Sequence, residues 1–529
     1  MTRVHTTARI VVVLAPLGAQ RSVATLDLSP YAGDRVEVLR ERSLRALHDT
    51  MRRLPGVDLV IDARVRDEER QWRRWRGLFF HLRPGGTWVT LRAQGSEGTF
   101  GQRVGRLHDR ETGRGLGKRL HEASRAVAKV EVTYDRVTIT KGGTHLLKVR
   151  DHDAPEVLAT RAPRLTVREL QRIEGGLLEG VGGLVTSHGF MSDELAAPIR
   201  YPPLHLRRYE GRLSLLEGAV ALHETTLLPD SYRWHLQGNP INKRLVDIDR
   251  DWARTRRTEP VGGHLEGSYY YFDYKNPGHY GHLMTEAVSR LWGWPAAKAA
   301  DPDLKILLRR SPREGMRTAP RAETVLLPAF GVDPEDMVWV DESVTVDSMV
   351  GLTPMWHNKR PYSAHPGIRD VWSRLRDGLA ETEVPDRPRI FVTRRQRGHR
   401  HCHNTPEVEE LFRAHGFEVI EPGGMSIPVQ AATFAQARVV AGFGGTGMFN
   451  LAFARNLERV IVLNHTAYDA RNEHLMAAVL GAHADYFWSE PELSHPPNGW
   501  SYDAFQSPWT FDVQRHRASL EDLLVGLGN

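Results

Sequence analysis

Cysteine is all but missing from this chain: Cys402 is its single one. No intramolecular disulfide can form, and a reducing compartment is expected. Long apolar runs are missing as well. Nothing approaches the roughly 18 residues of a membrane span. The early run Ile10-Val11-Val12-Val13-Leu14-Ala15 is too short for a signal-peptide core and reads as a first strand. The expected location is cytoplasmic, with a peripheral contact at the inner face of the membrane as the alternative. A strong charge of one sign is also lacking. Lys and Arg number 71 against 65 Asp and Glu, a formal net charge of +6 that is spread along the chain. Nucleic acid is therefore not an expected partner.

What is present is an ordinary folded composition, 40% hydrophobic and 26% charged over 529 residues, enough for two to four domains. Residues 1–95 read as a small Rossmann-like α/β unit. Strand Val57–Asp62 ends in a carboxylate, a helix over 68–80 repeats Trp72, Trp75, Leu78 and Phe79 at helical spacing, and Leu82-Arg83-Pro84-Gly85-Gly86 turns into another strand. Residues 96–129 interleave glycines with Arg103, Arg106, Arg110, Arg114, Lys118 and Arg119, which reads as a basic flexible linker able to touch a membrane or an anionic polymer. Residues 130–200 are strand-rich. From 201 onward strands alternate with helices of about ten residues, the pattern of parallel sheets with crossover helices. A hinge at Pro385–Pro388 separates 201–384 from 385–529. The expected fold class is α/β, with two Rossmann-like lobes facing a cleft.

Three stretches carry chemistry. In His279-x-x-His282-x-x-x-Glu286, helical spacing sets the three side chains on one face, where a carboxylate can orient an imidazole for general base work. A structural polar network is the other reading. The strand Arg389–Val392 delivers Arg394 and Arg395 at its carboxyl end, guanidinium forks suited to a diphosphate. Finally, Val439-Val440-Ala441 runs into Gly442, Gly444, Gly445 and Gly447 and then a helix bearing Asn450. Backbone N–H groups at such a helix start attract an anion. The tract His399-Arg400-His401-Cys402-His403 lacks a paired Cys-x-x-Cys. The pairs Asp151/Asp153, Asp247/Asp249 and Asp301/Asp303 follow no clear apolar strand. No metal is assigned.

Two resemblances add to this. Val57 to Thr90 resembles the later half of a class I methyltransferase fold, but Ala15-Pro16-Leu17-Gly18-Ala19-Gln20 lacks the G-x-G expected after the first strand. Residues 200–490 resemble the glycosyltransferase family 61 domain. The motifs are His282 to Leu291, Val392-Thr393-Arg394-Arg395, Asn404 to Val408, Gly416 to Pro422, Gln430, and Ala437 to Phe453. That resemblance implies a GT-B architecture and an inverting transfer of a sugar from a nucleotide sugar, uridine diphosphate-linked and with no metal cofactor, to a glycan or other hydroxyl acceptor in polysaccharide or glycoconjugate synthesis. Arg394, Arg395, Asn404, Gly442, Gly444, Gly445, Gly447 and Asn450 would serve the donor. His282 or Glu286 would be the base. The family's histidine in the glycine motif is Gly444 here, which leaves Arg394 or His465 to take its place. The alternatives are a bifunctional chain whose first 95 residues bind S-adenosylmethionine, and a non-catalytic scaffold.

Overall fold

The computed structural model describes residues 9–15, 28–41, 43–63, 68–91, 99–108, 117–233, 235–236, 238–257, 261–310, 321–394 and 399–527. Three sheets organise them, and the protein is of mixed α/β type.

The amino-terminal sheet has four parallel strands, Arg35–Leu39, Ile10–Leu14, Val57–Asp62 and Leu82–Leu91 in spatial order, closed by the antiparallel pair Arg136–Lys141 and Val127–Val132. The run Ile10–Leu14 is buried throughout, as a strand covered on both faces must be. Helix Glu68–Leu78 buries Trp72, Trp75 and Leu78 against this sheet's core. The described parts of the segment expected as a linker are helices, Thr99–His108 and Lys118–Arg125. Phe100, Val104 and Leu107 recur at spacings of four and three and bury one face. Arg103 lies 4.0 Å over the Trp72 ring and bonds Glu69 at 2.9 Å. The glycine and arginine content masked this amphipathic pattern.

The central sheet has eleven strands and is mixed. Gly263–Tyr271, Lys305–Arg309, Met337–Val340 and Val344–Leu352 run parallel, while the long strand Leu204–Leu216 pairs antiparallel with Val344–Leu352. In the expected first lobe, then, a parallel group is extended by antiparallel strands. One antiparallel pair is local: Gly218, at φ 77°, and Ala219 turn Leu204–Leu216 straight back into Val220–His223, and so short a connection gives antiparallel neighbours. The pair that joins these strands to the parallel group, Leu204–Leu216 with Val344–Leu352, is between segments far apart in the chain. Alternation then decides the layers. Tyr269 and Tyr271 enter the core shared with the amino-terminal sheet, and Tyr270 and Phe272 enter the core on the opposite side.

The carboxyl-terminal sheet is all parallel, in the order Val185–His188, His483–Ser489, Arg459–His465, Val439–Phe443, Arg389–Val392, Glu418–Ile420. Read from Arg389 onward, the strand order is 2-1-3-4-5, with one strand from before residue 200 added at the far edge. Such a sheet has its topological switch point between its first and third strands, where adjacent crossovers leave in opposite directions and open a crevice. Those strands are Arg389–Val392 and Val439–Phe443, and they lead into Arg394 and the glycine stretch. One continuous core joins the helices of this sheet to the inner face of the central sheet, with Leu283, Met284 and Leu291 packed in the same cluster as Met448, Phe449 and Phe453.

Among the described residues, no helix is long and apolar enough to cross a membrane.

Candidate active site

The chain leaves strand Gly263–Tyr271 and enters a helical segment at Tyr280. His279 caps it, its Nδ1 accepting the His282 N–H at 3.4 Å. Leu283–Ala287 then form a π turn, a local widening frequent at functional sites. Glu286 sits in this turn, only 8% exposed. Its Oε1 meets both His282 Nδ1 and Arg233 Nη1. Burial by itself would raise this carboxyl, but the Arg233 guanidinium and the His282 bond outweigh it and bring it down to about 2. Glu286 is thus a fixed anion. With Nδ1–H given to Glu286, His282 keeps Nε2 as its basic nitrogen. That atom accepts from the side-chain amide of the exposed Asn276 at 2.8 Å.

The glycine stretch works differently from a row of free N–H groups. Gly442 is a packing position, since a Cβ there would stand 2.6 Å from the Val392 carbonyl oxygen. The Gly444 N–H bonds Leu463 O at 3.1 Å, and the Gly445 N–H bonds Glu473 Oε1 at 2.6 Å. Gly445 has φ 143°, which favours glycine, and a Cβ there would lie 3.2 to 3.3 Å from the guanidiniums of Arg400 and Arg394. Gly447 approaches Val392, with 3.0 Å from its would-be Cβ to Cγ1. The helix Thr446–Phe453 is of the 3₁₀ type, and its opening N–H groups at Thr446 and Gly447 have no partner among the described residues.

Two arginines converge beside this loop. Arg394 Nη1 donates to Gly444 O at 3.2 Å, and Arg400 Nη1 donates to the same oxygen at 3.4 Å. Arg400 is held at φ 60°, a left-handed conformation costly for a side chain of this size, with its guanidinium 4.1 Å over the Tyr468 ring. Among the described residues neither arginine has a carboxylate ion pair. Burial and the neighbouring Arg400 pull Arg394 down to about 10. His465, at the end of the adjacent strand, is fully buried, and among the described residues neither ring nitrogen has a hydrogen-bond partner. Burial, then Arg400 and Arg394, push it down to about 3. Asn464 Nδ2 is also buried, without a partner among the described residues, and lies 2.9 Å from where a Cβ on Gly444 would stand. A side chain at 444 would have to displace the Asn464 amide. These are the marks of a site holding more positive charge and more donors than the protein itself satisfies.

The two halves touch. The Tyr280 hydroxyl donates to Asn450 Oδ1 at 2.6 Å, and Asn450 Nδ2 donates to Gln430 Oε1 at 2.9 Å and Gly447 O at 3.1 Å. Asn450 is fully buried and acts as the fastener between the helix of His282 and the glycine loop. Gly281 makes the approach close, since a Cβ there would lie 2.9 Å from Thr446 Oγ1 and 3.2 Å from Phe449. Gly281→Val is accordingly expected to destabilise the fold by about 1–3 kcal/mol, read as a lower melting temperature. An unchanged melting temperature would contradict this packing.

Of the other expected site residues, Arg395 lies outside the described residues, as does the loop after strand Ile10–Leu14. Asn404 is engaged elsewhere: it bonds both backbone groups of Phe511 at 2.9 Å and the Glu407 carboxylate at 2.9 Å, which clamps the carboxyl-terminal segment to helix Thr405–Ala414. Asp62 is buried and paired with Arg74 at 2.8 Å. Sequence reasoning passed over Arg233, Arg400, Asn464 and Glu473. Arg400 stood inside a tract read for its histidines, and the others adjoin no motif. Among the described residues, no three His, Cys, Asp or Glu side chains gather as a metal site.

No curated protein matches the chain. Solved structures of the MycE methyltransferase from the mycinamycin biosynthetic pathway match with 18% identity and a TM-score of 0.19 in complex with Mg and SAH, and with 17% and 0.20 when mycinamycin VI is also bound. Each covers 26% of this chain and 42% of its own, so the chain spans less than half the length of those structures. Over residues 280–461, a stretch that includes His282, Glu286, Arg394, Arg400 and the glycine loop, the chain matches the model of the family Glycosyltransferase 61.

Proposed function

We propose that the protein is an inverting glycosyltransferase that takes a sugar from a nucleotide-sugar donor, uridine diphosphate-linked, to a hydroxyl of a glycan or related acceptor. The observation that carries this reading is the junction of Tyr280 and Asn450, which ties the helix bearing His282 and Glu286 to the glycine loop on which Arg394 and Arg400 converge, at a sheet switch point. In this reading Arg394 and Arg400, with the Thr446 and Gly447 N–H groups, face the donor diphosphate. Asn464 and His465 supply polar contacts on the side where the family histidine is absent.

The reaction is a single displacement. The acceptor oxygen attacks the anomeric carbon as the bond from that carbon to the diphosphate oxygen breaks. The acceptor proton passes to His282 Nε2, where the hydroxyl would displace the exposed Asn276 amide. The electron pair leaves with the nucleoside diphosphate, whose added negative charge the two guanidiniums meet in a poorly hydrated place.

Arg394→Ala and Arg400→Ala are each expected to weaken UDP binding by about tenfold or more, since a hydrogen bond to a charged group contributes about 1.5–3 kcal/mol. Calorimetric titration of UDP into the full chain measures this. Wild-type affinity in both variants would remove the donor site from this place.

A further inference from the structure

We propose that Trp500 and Tyr502 form the platform on which the uracil of the donor stacks. This rests on the glycosyltransferase reading. It assigns the nucleoside part of the donor to a segment beyond residue 461, where the family match ends.

After strand His483–Ser489 the chain comes back along the arginine loop. The Arg400 N–H donates to Gln506 O at 2.9 Å and the Trp509 N–H to His401 O at 2.9 Å, so the two segments lie side by side. Ser501 caps the short helix Tyr502–Phe505, its Oγ accepting the Ala504 N–H at 3.3 Å. The Ser501 N–H donates to His495 Nδ1 at 3.1 Å, and His495 Nε2 donates to Ala467 O at 3.0 Å. These bonds hold residues 500–502 in place.

A row of rings results. The Arg400 guanidinium lies 4.1 Å over Tyr468 and 5.8 Å from the centre of Phe505. Phe505 is 4.9 Å from Tyr468 and 5.6 Å from Trp500, and Trp500 is 6.2 Å from Tyr502. The other arginine reaches the same row. Arg394 Nη2 donates to His399 O at 3.4 Å, and the His399 ring meets Tyr502 edge-on at 6.5 Å. Tyr468 is buried, yet Trp500 is 47% and Tyr502 57% exposed. A single exposed ring needs no explanation. Two adjoining ones that continue a buried row up to an anion site do.

The neighbours name the occupant. From a diphosphate on Arg394 and Arg400, one contact leads to His399 or Phe505 and the next to the exposed pair, the reach of a ribose and a pyrimidine. Stacking asks only for a π face, which every base has. Lys359, its Nζ 5.0 Å over the Trp500 ring, adds a donor for the uracil carbonyl oxygens. A sugar ring can also lie on an exposed tryptophan, but the acceptor hydroxyl must reach His282. Among the described residues no ring contact or hydrogen bond runs from this row to His282 or Asn276.

The test is calorimetric titration of the full chain with UDP, inorganic pyrophosphate and neutral maltotriose. UDP is expected to bind about tenfold or more tightly than pyrophosphate. Trp500→Ala should weaken UDP about tenfold and leave pyrophosphate within about twofold, while Trp500→Phe, which keeps a ring, should stay within about threefold of wild type for UDP. Tyr502→Ala should also weaken UDP alone and provides a second variant if Trp500→Ala melts early. Wild-type UDP affinity in both alanine variants overturns the proposal. An equal loss of UDP and pyrophosphate overturns it too, since the rings would then only support the arginines. So does maltotriose binding that Trp500→Ala removes with UDP unchanged, which would give the platform to the acceptor. Wild-type protein that binds UDP no more tightly than pyrophosphate sinks this inference alone. Wild-type protein that binds neither sinks the glycosyltransferase reading as well.

Discussion

His282→Ala is expected to lower turnover by about 10²- to 10⁴-fold while leaving UDP affinity within twofold, because a positioned base acts on the acceptor proton and not on the donor. Glu286→Gln separates position from charge. Glutamine can still accept the His282 Nδ1–H, but it no longer stabilises the imidazolium that forms during transfer. Its turnover should fall less than in His282→Ala, and the acid limb of its pH–rate profile should move to lower pH. Glu286 itself does not create that limb. Arg233 and His282 hold it at about 2, so it remains ionised through neutral pH. For stability the sign follows the same way. A carboxylate depressed below its ordinary 4.5 stabilises the fold above that value, and the contribution is lost as the pH falls toward 2. Glu286→Gln leaves Arg233 without its carboxylate, so the melting temperature is measured alongside turnover. A His282→Ala variant with wild-type turnover would exclude this histidine as the base.

The second large effect belongs to Glu473, a fully buried acid behind the glycine loop. Its Oε1 accepts the Gly445 N–H, its Oε2 has no partner among the described residues, and burial raises it to about 7 against the pull of the Gly445 N–H, Arg400 and Arg394. Here the sign is reversed. Between its ordinary 4.5 and about 7 the folded protein binds a proton that the unfolded chain has already released, so stability falls as the pH rises through that window. The shift corresponds to about 3 kcal/mol at pH 8. Glu473→Gln keeps an oxygen for Gly445 and removes the ionisation. The variant is expected to melt well above the wild type at pH 8.5 and to match it near pH 4.5, where both side chains are neutral. UDP affinity should weaken with rising pH through 7 in the wild type and change less in the variant, because an ionised Glu473 places a negative charge behind the anion site. Thermal melts and titrations at both pH values measure this, and equal melting of the two proteins at pH 8.5 would refute it.

Both residues illustrate what could be read in advance. The pairing of His282 with Glu286 follows from helical spacing alone, since residues four apart share a face. The π turn and the partner Arg233 do not follow, because they depend on a segment fifty residues earlier folding back. The glycine stretch announced a loop after a buried strand. Its local sequence could not reveal that the Gly444 and Gly445 N–H groups are taken by Leu463 and Glu473, leaving Thr446 and Gly447 to open the helix. Arg394 was legible as the end of an apolar strand. Arg400 was not, because its role comes from a left-handed backbone and from Tyr468, neither of which has a local signal. In the segment 96–129 glycine and arginine dominated the reading, although Phe100, Val104 and Leu107 already carried a helical period.

The sequence by itself determined the strands, since unbroken apolar runs such as Val439–Ala441 and Ile10–Leu14 can only be buried. It also determined the helices between many of them, through their period, and the six ordered motifs that resemble one family. Tertiary structure alone decided which strands became neighbours, and with that the mixed character of the central sheet, because pairing between distant segments leaves no local period to read. It also decided the chemistry of the site. A half-buried arginine held below its ordinary value and an acid near 7 owe their properties to desolvation and to charges brought together from far apart in the chain.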